Sequence, residues 1–176
     1  YDGEIDILDI MHWIGDILGL NRAANPPIDS AKLFIKSNKL THKAEGSVGY
    51  HITLSHSSDF EFDLTKDALI ADYVASDDET EIIVINPGSE TLFTYTGEFE
   101  ITEILTASSF SAEFIETDIV NVPKDFRLNA AYPNPFNPST NISIDLPEET
   151  IMSMMIYDIN GRQVTTLVDK KIFDPG

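Results

Sequence analysis

A chain of 176 residues has room for one ordinary domain or two small ones, and its 42% hydrophobic content suffices for buried cores, which argues against a wholly disordered protein. Asp and Glu number 30 against 11 Lys and Arg, and the formal net charge of -19 would repel nucleic acid and anionic lipid. Cysteine is absent, which removes disulfides, thiolate metal sites and a cysteine nucleophile, and no apolar run approaches the ~20 residues that cross a bilayer. The acidic excess has two readings: solubility in salty or extracellular water, or carboxylates gathered for a hard cation such as calcium. No signal peptide or initiator methionine is present, and Tyr1 falls inside a motif, so the expected context is an internal piece of a longer protein.

The first element is a helix. Between Asp6 and Leu20, the residues Ile7, Ile10, Met11, Ile14, Ile17 and Leu18 recur at three- and four-residue spacing and share one helical face. Asp6 can cap its start and Gly19 can end it. Upstream, Asp2-Gly3-Glu4-Ile5-Asp6-Ile7-Leu8-Asp9 matches the second half of an EF-hand-type loop. With Gly3 as the sharp-turn glycine at loop position six, Asp2 falls at five, the Glu4 carbonyl at seven, Asp6 at nine and Asp9 at twelve. Asp at position twelve resembles the dockerin repeat, whose paired helices dock onto cohesin domains. That resemblance implies calcium as a cofactor, held by Asp2, Glu4, Asp6 and Asp9, although loop positions one and three and the partner repeat are missing. The other reading is an acidic cap on an amphipathic helix, favoured by the helix dipole. Trp13 and His12 read as packing and surface residues. So short an amphipathic helix needs a partner, either the missing repeat or the domain that follows.

Residues 1–20 thus form a truncated dockerin-like unit, and 21–30, with Pro26-Pro27 and no periodicity, form a linker. From there to residue 121 the pattern is strand-like. Short β-branched or aromatic runs at Ala31–Lys36, Ser47–Ser55, Phe60–Leu64, Ala68–Val74, Glu81–Ile85, Thr91–Tyr95, Phe99–Thr106 and Glu113–Val120 are separated by turn residues. This predicts an antiparallel β-sandwich over 31–121. Val48, Tyr50, Ile52 and Leu54 alternate onto one face, and the apolar run Ile82 to Ile85 suits a central strand. His51 and His56 differ by an odd number and point to opposite faces of a regular strand, so they read as surface residues rather than a metal pair. Asp77-Asp78-Glu79 reads as a charged turn. No serine-nucleophile elbow, zinc-protease motif or phosphate loop occurs, and with so many acids no carboxylate pair stands out for glycoside hydrolysis. The domain is similar in size and strand pattern to cohesin-like surface sandwiches, an analogy of fold only.

A second linker spans 122–131, and the last segment, 132–176, opens on Tyr132-Pro133-Asn134-Pro135-Phe136-Asn137-Pro138-Ser139-Thr140. Its prolines fix φ and remove amide donors, so it is extended and irregular. Strands follow at Ile142, Ile144 and Leu146 and at Met152, Met154 and Ile156, with Asn160-Gly161 as a hairpin turn before Arg162–Val168. The string YPNPFNPST, then a strand, LPE, a second strand and IYDINGRQV, resembles the start of the C-terminal sorting domain of type IX (Por) secretion substrates. The resemblance implies an immunoglobulin-like sandwich related to the flagellar hook-capping protein. It also implies a cargo carried across the outer membrane, then released or kept on the surface, with the secretion machinery as a partner. The family continues beyond the equivalent of Gly176, so the domain reads as incomplete, with an exposed edge that another subunit could fill.

The fold class expected is therefore mainly β: an antiparallel β-sandwich with a short N-terminal helix and a second, incomplete immunoglobulin-like β-domain. The function expected is that of a non-catalytic module of a secreted or outer-cell-surface protein, in adhesion, scaffolding or extracellular assembly. Its expected partners are other subunits or surface components, with no nucleic acid, no membrane span and no catalytic residues. Two alternatives fit the same residues: accessory domains of a secreted hydrolase whose catalytic domain lies upstream, and a fibre subunit completed by strand exchange.

Overall fold

The computed structural model describes residues 6–18, 30–44, 46, 48–108 and 114–176. They fall into two compact units, residues 1–119 and 120–176. The first contains α1 (Ile7–Leu18) and the strands β1 (Ser30–Lys36), β2 (Lys39–Lys43), β3 (Val48–His56), β4 (Glu61–Leu64), β5 (Ile70–Ala75), β6 (Glu79–Ile85), β7 (Thr91–Thr96), β8 (Phe99–Ser108) and β9 (Glu116–Asn121), the last crossing the boundary. Two sheets form, a five-stranded one in the order β4-β7-β2-β1-β9 and a four-stranded one in the order β5-β6-β3-β8. The strand pairings described are antiparallel.

The strand period of two decides how the sheets face each other. On β3, Val48, Tyr50, Ile52 and Leu54 are all buried, and with Ile82 and Val84 of β6 they meet Leu33, Leu40, Leu92 and Phe93 of the other sheet in one core. Each such side chain contributes about 1.5–3 kcal/mol by leaving water. One end of this core is aromatic: Phe60, Phe93, Tyr95 and Phe99 lie with ring centroids 4.7–6.3 Å apart. The expected sandwich is present, and its core is the one the alternation marks.

The second face of β3 and β6 explains the all-apolar run of β6. Ile85 and Ala107 are buried there beneath Ile7 and Met11 of α1, with Ile83, Leu105, Ile10 and Ile14 packed around them. The helix thus packs on the sheet that follows it. It starts at a reciprocal cap: the Asp6 Oδ1 accepts from the N–H groups of Leu8 (2.8 Å) and Asp9 (3.2 Å), and the Asp9 carboxylate accepts from the Asp6 N–H at 3.5 Å. Close approach to β3 depends on Gly49, where an added Cβ would lie 2.6 Å from Met11 Sδ.

Two details of the sequence reading are corrected. Ile17 is 81% exposed, because the contact with the sheet ends near Ile14 and the last turn overhangs it. The strand β2 went unread because Lys39-Leu40-Thr41-His42-Lys43 is polar, yet it lies inside the five-stranded sheet between β7 and β1. It is joined to β1 through Ser37 and Asn38, both at positive φ (48° and 63°), which gives a two-residue turn matched to the strand twist.

The second unit contains β10 (Arg127–Leu128) paired with β11 (Ile144–Asp145), and β12 (Thr150–Tyr157) paired with β13 (Gln163–Phe173). The β12–β13 ladder carries bulges around Met152, Met154 and Tyr157. Leu146 is buried and exchanges two backbone hydrogen bonds with Gly176, at 2.8 and 2.9 Å.

The contact at Gly49 makes the helix dock testable. Gly49→Ala forces Met11 to shift and should lower stability by about 1–3 kcal/mol in urea denaturation. In a Met11→Ala background the same substitution should cost clearly less, since the atom it meets has gone.

Candidate functional site

The proline-rich segment is built as a closed loop. Tyr132 and Asn141 pair as an isolated antiparallel bridge, each N–H donating to the other's carbonyl at 3.0 and 2.9 Å. Below it, the Asn129 N–H donates to the Ser143 carbonyl at 2.9 Å, and the Asn129 amide donates to the Asp145 carboxylate at 2.8 Å. Thr140 adds a bond from its hydroxyl to the Pro133 carbonyl at 2.8 Å. β10 and β11 continue this ladder, so the whole of 127–145 is one hairpin whose tip is Pro133 to Ser139. The Pro133, Pro135 and Pro138 peptide bonds are all cis.

At that tip, Tyr132, Pro133, Asn134, Pro135, Phe136, Asn137 and Pro138 are all exposed, Tyr132 by 79%. No charged residue occurs from Leu128 to Ile144, although the chain as a whole is strongly acidic. The loop therefore presents rings, amides and carbonyls on a backbone whose φ angles are fixed by proline, and a partner that binds it orders little that is not ordered already.

The second hairpin turns on one side chain. The Asp158 carboxylate accepts from the N–H groups of Asn160 (2.8 Å) and Arg162 (2.9 Å). Gly161 at φ 77° supplies the left-handed position, and the Asp158 and Gly161 main chains close the turn. Between the two hairpins runs an open groove of about 470 Å³ walled by Ile144, Leu146, Met152, Met154, Leu167 and Phe173.

Residues 130–172 match the family described as the secretion system C-terminal sorting domain. This segment defines an exported cargo of the type IX route, either secreted or held on the outer cell surface. Neither the curated proteins nor the solved structures gave a match to the chain. The family match leaves residues 1–20 untouched, and the dockerin resemblance gains no support from it. Of the four candidate calcium ligands, Asp2 and Glu4 lie outside the described residues, while Asp6 and Asp9 are engaged in the helix cap. Among the described residues, no group of three or more His, Asp or Glu is placed to hold a metal. No described helix is long and apolar enough to cross a membrane.

The histidines separate as their spacing implies. His51 pairs with Glu81 at 3.5 Å, whereas His56 stacks on Phe60 and bonds the Thr80 hydroxyl at 2.8 Å. The histidine that sequence reasoning passed over is His42. Its Nε2 lies 3.0 Å from the Ser89 carbonyl, which can only accept, so Nε2 carries the proton and Nδ1 accepts from the Tyr50 hydroxyl at 2.9 Å. Burial holds its pKa below the usual value, against a smaller opposing pull from the Ser89 carbonyl and Glu90.

The linkage sign follows from that direction. A folded-state pKa below the unfolded value means that the unfolded chain binds the extra proton first. His42 therefore contributes stability that is present above about pH 6.5 and lost as the pH falls below it. The urea midpoint should drop between pH 7.5 and 5.5, and the part of that drop due to His42 should be missing in His42→Gln. Independently, Asp158→Ala should cost about 1–3 kcal/mol, because two turn N–H groups lose a charged acceptor.

Proposed function

We propose that this chain is a non-catalytic module of an exported protein, working in adhesion, scaffolding or extracellular assembly, with its second unit serving as export address. The observation that carries this reading is the sorting-domain match over 130–172, on a segment whose motif forms an exposed, uncharged, proline-fixed loop. In the first unit, two histidines are held in structural contacts, His42 with Tyr50 and Ser89 and His56 with Thr80, and Phe60, Phe62, Phe93, Tyr95 and Phe99 pack on one another. We read the second unit as part of an immunoglobulin-like sandwich. Calcium at the N-terminal half-loop remains a subsidiary proposal, for which Asp6 and Asp9 would have to exchange cap bonds for a cation.

A second reading, a fibre subunit completed by strand exchange, is favoured by one feature. The groove between the hairpins of 120–176 exposes apolar side chains that a further strand would cover.

Two measurements test the main reading. In a host with a working type IX system, replacing Pro133 to Pro138 by Gly and Ser should move the protein from the surface or medium into the periplasm. Unchanged export would overturn the address. The purified chain should give no turnover above buffer on glycoside, ester and peptide substrates, and a clear turnover that survives repurification would overturn the non-catalytic assignment.

A further inference from the structure

The four-stranded sheet ends at β5, and among the described residues nothing pairs with its outer edge. Exposed edges are ordinarily blunted by a bulge, a proline, a lysine or a very short strand. β5 has none of these. Its six residues, Ile-Ala-Asp-Tyr-Val-Ala, pair with β6 in continuous register without a shift. Leu69, Ile70, Tyr73 and Val74 are exposed there, Val74 by 75%, in a unit that is otherwise rich in acids.

One edge donor is occupied in a replaceable way. The Tyr73 N–H is bonded by the carboxylate of the preceding residue, Asp72, at 2.9 Å. Along the strand, on the same outer sheet face that α1 packs against but with no α1 residue in its lining, lies a depression of about 130 Å³ lined by His51, Asp72, Tyr73, Val74, Glu81 and Ile83. Its floor is apolar at Val74 and Ile83. Its rim carries two carboxylates, with Glu81 already within 3.5 Å of His51. Asp77, Asp78 and Glu79 follow directly at the end of the strand.

We propose that β5 is a docking edge for an extended, basic strand of a partner polypeptide, which adds to the sheet through its backbone and sets Lys or Arg side chains over Asp72 and Glu81. Charge selects this occupant. A second copy paired antiparallel along β5 would bring Asp72 close to its own counterpart and face two strongly acidic units together, where like charges oppose pairing. A cationic strand instead gains from the same field, and apolar residues alternating with its cations would fall on the opposite face, beside the half-exposed Tyr73.

The proposal rests on the sandwich being a binding module, and it can fail separately from that reading because the export and turnover measurements do not involve β5. The probe is a short synthetic peptide alternating Lys and Val, titrated into the full chain by calorimetry at low salt. It should bind, with affinity falling at least ~10-fold in Val74→Lys and in Asp72→Asn with Glu81→Gln, since each removes attraction at an exposed site. A scrambled peptide of the same composition and an N-methylated version should bind at least ~10-fold more weakly, because the second cannot donate to the edge. Three results would overturn the proposal. The first is no binding at ~1 mM peptide, the range of the weakest specific contacts. The second is equal binding of the scrambled or N-methylated peptides. The third is a dimer in sedimentation that Val74→Lys dissolves, which would make the occupant a second copy.

Discussion

The structure hangs on the two-sided burial of β3. Its backbone is paired on both edges, by β6 and by β8, so no amide of the strand is left to water over most of its length. Its inner side chains close the sandwich and its outer face, at Gly49, admits the helix to within contact of the backbone. The two faces need opposite things. Inside, Tyr50, Ile52 and Leu54 fill volume; outside, at one position, the absence of a side chain makes room for Met11. The inner face also has a polar consequence: the Tyr50 hydroxyl donates to His42 Nδ1, which fixes His42 and through it the backbone at Ser89. A phenol at that depth must have a partner, since an unsatisfied hydroxyl would cost about 1–3 kcal/mol.

The charge of the chain is not spread evenly. Residues 120–176 hold five Lys and Arg against seven Asp and Glu, a net of -2, which leaves -17 on residues 1–119. Each part is consistent with its own task. The sandwich has a large core and can tolerate self-repulsion at its surface, and the acid excess keeps it soluble. The sorting unit has little core and many exposed apolar side chains, among them Tyr132, Phe136, Ile151 and Leu167. Surface of that kind, without strong charge, suits recognition by apolar contact and backbone hydrogen bonds, and it would depend little on salt.

What could be read from residues alone follows from what each residue type signals. The alternation of β3 and the apolar run of β6 declare strands because side-chain period is a property of the sequence. The prolines of 133–138 declare an irregular exposed segment because the constraint is in the residue itself. β2 was silent: its burial comes from neighbours on both sides, while Lys39, Thr41 and Lys43 look like a solvated connection. The turn before it lacks the Asn-Gly pair by which such turns are usually recognised, using Ser37-Asn38 instead. The role of His42 was equally hidden, since Ser89 stands 47 residues away in sequence. The closure of the sorting loop by Tyr132 and Asn141 runs through backbone groups, which leave no mark in residue identity.

The helix shows how a local rule and a tertiary one can both hold while pointing to different conclusions. Asp6 and Asp9 stand where a calcium loop would want them, and they also stand where a helix start wants acceptors. In the fold, the cap uses both carboxylates, and the apolar face behind it is committed to Ile85 and Ala107 of the same unit. A helix that must dock onto a second repeat or an external receptor needs that face free. Here the face is spent inside the domain, and the open half of the same sheet, from His51 to Val74, is where its outer face remains uncovered by α1.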